Sequence, residues 1–200
     1  EDNGYKGSVG LIGNGGNTNL SNKFVIGIND GESWYNPLRI YYDNKAFRLG
    51  FGSDGISDIN NFGTSSISLG TNSFATGDYS STLGTDNTAS GLNSTALGLN
   101  SQATADGAIV LGINSIASGL SSTALGLNSQ ATADGAIVLG INSIASGINS
   151  RAMGFNAKAS NYGSTAIGLN STASGDFSNT FGVDIEAYSF AETVVGRFNT

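Results

Sequence analysis

The chain has 200 residues, 30 of them glycine, with one proline, no cysteine, no histidine and a formal charge of −7. Without cysteine or histidine there are no disulfides, no thiolate or ordinary zinc sites, and no Ser-His-Asp or Cys-His catalysis. The acidic balance disfavours nucleic acid and anionic membrane surfaces as partners, and no stretch approaches the length of an apolar membrane span.

Residues 1–64 form the first expected unit, an irregular β-rich cap. It holds five of the eight basic residues, the only proline (Pro37) and a concentration of aromatics that includes Phe24, Trp34, Tyr35, Tyr41, Tyr42 and Phe47. Leu38–Tyr42 and Ala46–Phe51 read as the arms of a hairpin around Asp43-Asn44. Phe24-Val25-Ile26-Gly27-Ile28-Asn29 has the shape of Ile109-Val110-Leu111-Gly112-Ile113-Asn114, a faint echo of the repeats that follow. Such an atypical end suits a solenoid, which needs protection from edge-to-edge growth.

Residues 65–200 are periodic. A glycine returns every fourteen residues from Gly70 to Gly196. A large apolar residue precedes each one: Leu69, Leu83, Leu97, Leu111, Leu125, Leu139, Met153, Ile167, Phe181 and Val195. Such self-similarity is the signature of a solenoid. Asn93–Leu120 and Ser121–Ile148 are identical except at their first and last positions, so the unit reads as a pair of coils. Within one coil, Thr95, Leu97 and Leu99 share one strand face, and Ala96 and Gly98 share the other. Alternation does not say which face points into the coil. Asparagine tolerates left-handed geometry, so Asn72, Asn100, Asn114, Asn128, Asn142, Asn156 and Asn170 are expected at turns. A second strand of about five residues is expected around Ala103, and Gly91, Asp106-Gly107, Gly119 and Asp134-Gly135 turn the chain back. Coils stacked about 4.8 Å apart would make a rod of roughly 45 Å. So thin a coil cannot absorb the large ladder residues, and an exposed apolar stripe would aggregate; a closed oligomer about the rod axis resolves this.

The units Asn93-Ser-Thr-Ala-Leu-Gly98, Asn149-Ser-Arg-Ala-Met-Gly154 and Gly163-Ser-Thr-Ala-Ile-Gly168, each continued by x-Asn-x-x-Ala-x-Gly or a near variant, resemble the head repeats of trimeric autotransporter adhesins. The resemblance covers roughly residues 65–196 and implies a left-handed parallel β-roll, assembled as a homotrimer. It implies an extracellular fibre on the outer surface of a Gram-negative bacterium, binding host matrix or cell surfaces. Asn22 to Gly50 is similar to segments of phage-type tail fibres. No heptad stalk, neck or barrel anchor and no signal peptide is present, and a chain running from Glu1 into the middle of a repeat at Thr200 reads as a fragment or processed product.

No cofactor, metal or catalytic group is expected. Asp30 with Glu32, or Asp54 with Asp58, are the only carboxylate pairs to consider for glycoside hydrolysis, and acidic loop residues explain them better. Asp78, Asp106, Asp134 and Asp176 share one repeat phase, where turn formation is a better reading than calcium. The hydroxyls from Thr76 to Ser174 lack the doubled threonines of an ice-binding face. For ligand binding the candidates are Trp34 and Tyr35 with Asp30, Glu32, Arg39 and Tyr41, though packing of the cap and closure of the apolar ladder explains Trp34, Tyr35 and Tyr41 better. The first functional reading is therefore a non-catalytic adhesin head contacting a glycan or surface protein of another cell. A shaft or receptor-binding segment of a phage-type fibre comes second, and a β-helical polysaccharide-degrading enzyme third.

Overall fold

The computed structural model describes residues 6–12, 23–29, 34–41, 46–49 and 62–198. From residue 62 onward every fourteen-residue unit closes as one coil of a parallel β-solenoid. In one such coil, the long strand Thr95–Leu99 leads into Asn100 at φ 51°, then the short strand Gln102–Ala103, then a corner ending at Gly107 at φ 67°. Long strands recur from Ile67–Thr71 to Thr193–Arg197, and short strands from Phe74–Ala75 to Glu186–Ala187.

The coils stack in register, so residues fourteen apart are neighbours: Leu97 pairs with Leu111 and Gly98 with Gly112. The corners bond as well. Asn114 N–H donates to Leu99 O at 2.9 Å, and Gly107 N–H donates to Leu92 O at 2.8 Å. Backbone groups that a lone coil would leave bare are thus satisfied by its neighbours.

The interior is built from methyls and hydroxyls. Ala96, Val110, Ala124 and Val138 point inward from the long strands, facing Ala103, Ala117, Ala131 and Ala145 from the short ones, all fully buried. Among the described residues, Ile185, Val110 and Val138 are the largest side chains buried completely. A buried serine ladder locks the asparagine corner. Ser115 Oγ donates to Gly126 O at 2.9 Å in the next coil and accepts Ser129 N–H at 3.1 Å. Asn87 takes the same place one step from Ser101, its Nδ2 donating to Gly98 O at 2.8 Å and its Oδ1 accepting Ser101 N–H at 2.9 Å.

The recurring glycine has a steric cause. At Gly126 (φ +140°) an added Cβ would overlap the Gly140 carbonyl oxygen of the next coil and lie 2.8 Å from its carbonyl carbon. Only a residue without a side chain takes both that backbone angle and that approach.

Two expectations need correction. The second strand is two residues long, not about five, because Ser101 and its equivalents turn inward and residues 104–107 are spent on the corner. The echo of the repeat at Phe24–Asn29 is not a coil. Lys23–Asn29 (β2) lies antiparallel between Lys6–Ile12 (β1) and Trp34–Tyr41 (β3), and the pairing with β3 shifts register between Ile26 and Ile28. The extra residue lies on β3, where Asn36 and Pro37 together oppose Gly27, a bulge at the proline that has no N–H for the ladder. Phe47–Leu49 (β4) pairs antiparallel with β3 through Leu38↔Leu49, Arg39↔Arg48 and Ile40↔Phe47, while the turn at 42–45 lies outside the described residues. On its other side β4 runs parallel to Ile67–Thr71 (β5), pairing Phe47 with Ile67 and Leu49 with Leu69. The meander thereby continues the long-strand sheet, which among the described residues has 14 strands against nine in the short-strand sheet.

Candidate functional site

The solenoid offers two faces and two corners, and each carries a different chemistry. On the long-strand face the residues before the glycines point outward. Leu83 is 50% exposed and Leu111 52%, with Leu139, Phe181 and Val195 also exposed and Leu69, Leu97, Leu125, Met153 and Ile167 partly covered. Two residues on, Leu99, Ile113, Leu127, Ile141, Phe155 and Leu169 form a second exposed column beside the first. Alternation puts alanine and valine inside because only their volumes fit between sheets so close; leucine is forced out. One chain thus leaves two adjacent apolar columns uncovered.

The asparagine corner is polar. Asn72, Asn100, Asn114, Asn128, Asn142, Asn156 and Asn170 all have φ between 49° and 55° there, and Asp86 and Asp184 take the same place. Their side chains bond from coil to coil: Asn128 Nδ2 donates to Asn142 Oδ1 at 2.9 Å, and Asn170 Nδ2 to Asp184 Oδ1 at 2.8 Å.

At the opposite corner the aspartates act as caps. Thr64, Leu92, Leu120 and Tyr162 each donate a backbone N–H to Oδ1 of Asp78, Asp106, Asp134 and Asp176, one coil on, at 2.7–3.2 Å. Among the described residues no group of three or more acidic side chains is placed to hold a metal ion. From Asp78 to Asp134 an apolar residue separates successive aspartates, Leu92 and then Leu120. That spaces the carboxylates about 10 Å apart instead of about 5 Å, roughly one Debye length in 0.1 M salt. The 28-residue duplication has its physical sense here: one aspartate serves two coils without a ladder of like charges.

The same corner changes character in the last coils. Tyr162 and Phe177 meet edge to face with centroids 5.1 Å apart, and Phe177 meets Phe190 likewise at 5.8 Å. These residues belong to successive coils and are fourteen or so apart in sequence. Sequence reasoning missed them; the signal was a bulky aromatic, Phe177, at the phase where Asn93, Gly107, Ser121 and Asn149 stand.

Of the candidates in the cap, Trp34, Tyr35, Arg39 and Tyr41 lie on β3, whose backbone pairs them with Asn29, Ile28, Val25 and Lys23 of β2. Asp30, Glu32, Asp54 and Asp58 lie outside the described residues, so the proposed carboxylate and aromatic cluster is not assembled within them.

Comparison with known proteins bears on the solenoid. A search of curated proteins finds no match. The family model described as the YadA head domain repeat matches residues 63–87, 89–115, 117–143, 145–171 and 159–178. Those segments span more than half of the chain and coincide with the coils whose glycine, alanine and left-handed corners are described above. By its repeats, and by the coils they build, the chain belongs to the YadA head domain repeat family.

Proposed function

We propose that this protein is the non-catalytic head of an extracellular bacterial surface fibre, a left-handed roll assembled as a homotrimer, which adheres to a glycan or surface protein of another cell. The observation that carries the reading is the pair of apolar columns on the long-strand face. At about 4.8 Å per coil they run some 45 Å, and a strip of that length about 10 Å wide reaches the largest patch that soluble monomers ordinarily expose. Three copies turned inward around an axis parallel to the rod would cover it without leaving an open end to the association. The acidic surface and the absence of histidine and cysteine fit a presenting rod better than a catalyst.

Sedimentation equilibrium tests the assembly. The expected particle has three times the 20.2 kDa mass of the chain at micromolar concentration. A monomer there refutes it. Adhesion of the purified protein to cultured cell layers tests the role, and absence of retention on any surface refutes it. A segment of a phage-type fibre would share this rod; protein detected on purified phage particles rather than on bacterial cells would favour that second reading.

A further inference from the structure

We infer that the aromatic corner Tyr162–Phe177–Phe190 is a binding site for a neutral glycan, an inference that rests on the adhesive reading above and names its ligand class. Three features set this corner apart. First, the rings are open to solvent: Tyr162 is 46% exposed, Phe177 47% and Phe190 73%. Tyr162 and Phe177 lie in coils that have a further coil on either side, so their exposure does not come from the end of the array.

Second, Phe177 stands at φ 56°, a backbone region that bulky residues seldom occupy. Tyr79 stands at the same phase with φ 58°, and the six coils between it and Phe177 all place asparagine, glycine or serine there; what Phe177 adds is a ring on either side of it, Tyr162 and Phe190. Gly163 beneath it makes room for the ring, since a Cβ on Gly163 would lie 2.9 Å from Phe177 Cδ1. Phe177 N–H donates to Tyr162 O at 2.7 Å, so the rigid ladder of the roll sets the spacing of the rings. An aromatic held in a disfavoured conformation and still left exposed points to a use for its face.

Third, the corner is separate from the apolar long-strand face. Thr165, Asn179 and Thr193, the first residues of successive long strands, run between them. Ser160, Ser174 and Tyr188 run along the other side. An aromatic ridge with hydroxyls on both flanks and the Asn179 amide on one matches a pyranose, which has apolar C–H faces and polar edges. The charge narrows the class. Asp176 and Glu192 lie on this corner, and no lysine or arginine occurs in 160–163, 174–178 or 188–192. Acidic glycans would be repelled. The coil rise of about 4.8 Å is comparable to one pyranose unit, and because neighbouring rings stand edge to face, at 77° and 80°, one extended chain running along the ridge would meet a ring face and a ring edge in turn.

The test uses the full chain and titration calorimetry with cellohexaose, maltohexaose, chitohexaose and mannohexaose, with a heparin hexasaccharide as acidic comparator. At least one neutral hexasaccharide should bind and heparin should not. Phe177→Gly should weaken binding at least tenfold while leaving the melting temperature unchanged or raised, because Gly107 and Gly135 already occupy that corner elsewhere. Tyr162→Ala should weaken it as well. No neutral binding at millimolar sugar, equal binding by Phe177→Gly, or preference for heparin would overturn the assignment. Adhesion to cell layers separates the two readings. If wild type and Phe177→Gly adhere equally, this site falls and the adhesive head stands. Sugar binding lost in Phe177→Gly, with no adhesion by wild type, leaves the site and removes the adhesive head. Adhesion abolished by protease but not by glycosidase treatment of the cells would make the ligand a protein and overturn the glycan.

Discussion

Replacing Gly126 by alanine tests the packing logic of the roll most directly. The new Cβ would overlap the Gly140 carbonyl oxygen and lie 2.8 Å from both the Gly140 carbonyl carbon and Ser129 Oγ. No flexible side-chain end is there to yield except the hydroxyl, so backbone must move. Holding a non-glycine residue at φ +140° costs about 1–3 kcal/mol. Displacing the Gly140 carbonyl also disturbs its bond from Ser129 Oγ, made at 2.7 Å, and a buried polar group left unpaired costs about 1–3 kcal/mol more. The expected loss is therefore about 2–6 kcal/mol, falling on the contact between two adjacent coils. Because stacked repeats are coupled mainly to their neighbours, it should divide the array. Urea denaturation at fixed protein concentration should show a lowered midpoint, and hydrogen exchange should quicken first in the strands Thr123–Leu127 and Ile137–Ile141. Gly107→Asn is the control. Its Cβ would lie 3.2 Å from Ser121 Oγ and at ordinary contact distance, 3.6 and 3.8 Å, from Ser121 Cα and N, and Asn93 and Asn149 hold the same corner, so its effect should stay within about 1 kcal/mol. A Gly126→Ala protein as stable as wild type would refute the account of why the glycine recurs.

Smaller effects follow from the two side-chain ladders. Ser129→Ala removes one buried donor but leaves a residue that Ala157 shows the column accepts, so it should cost about 1 kcal/mol by urea denaturation. Asp134→Ala removes the acceptor of Leu120 N–H, bonded at 2.8 Å; a loss of about 0.5–1.5 kcal/mol is expected, with faster exchange of that amide, and Asp134→Asn should recover most of it.

The period itself was legible because it is a property of the residues one by one. Glycine before a close approach, alanine where only a methyl fits and asparagine at a left-handed corner are choices that local geometry imposes on residue type. From these came the β-solenoid and its fourteen-residue coil. Less followed where a local pattern has two readings. Phe24–Asn29 shares the pattern of Ile109–Asn114, yet it pairs antiparallel on both sides, since strand direction depends on partners and not on the strand.

What the amino-acid order determined alone, then, is the coil: its length and its turns. What only the tertiary structure decided is direction and adjacency. A period of two assigns Leu97 and Ala96 to opposite faces but leaves the sign open, and the narrow gap between the sheets chose alanine for the inside. Likewise Tyr162, Phe177 and Phe190 are far apart in the chain and touch only because the register sets residues fourteen apart side by side. The most exposed chemistry of this rod is made by stacking, and stacking is what a single coil does not contain.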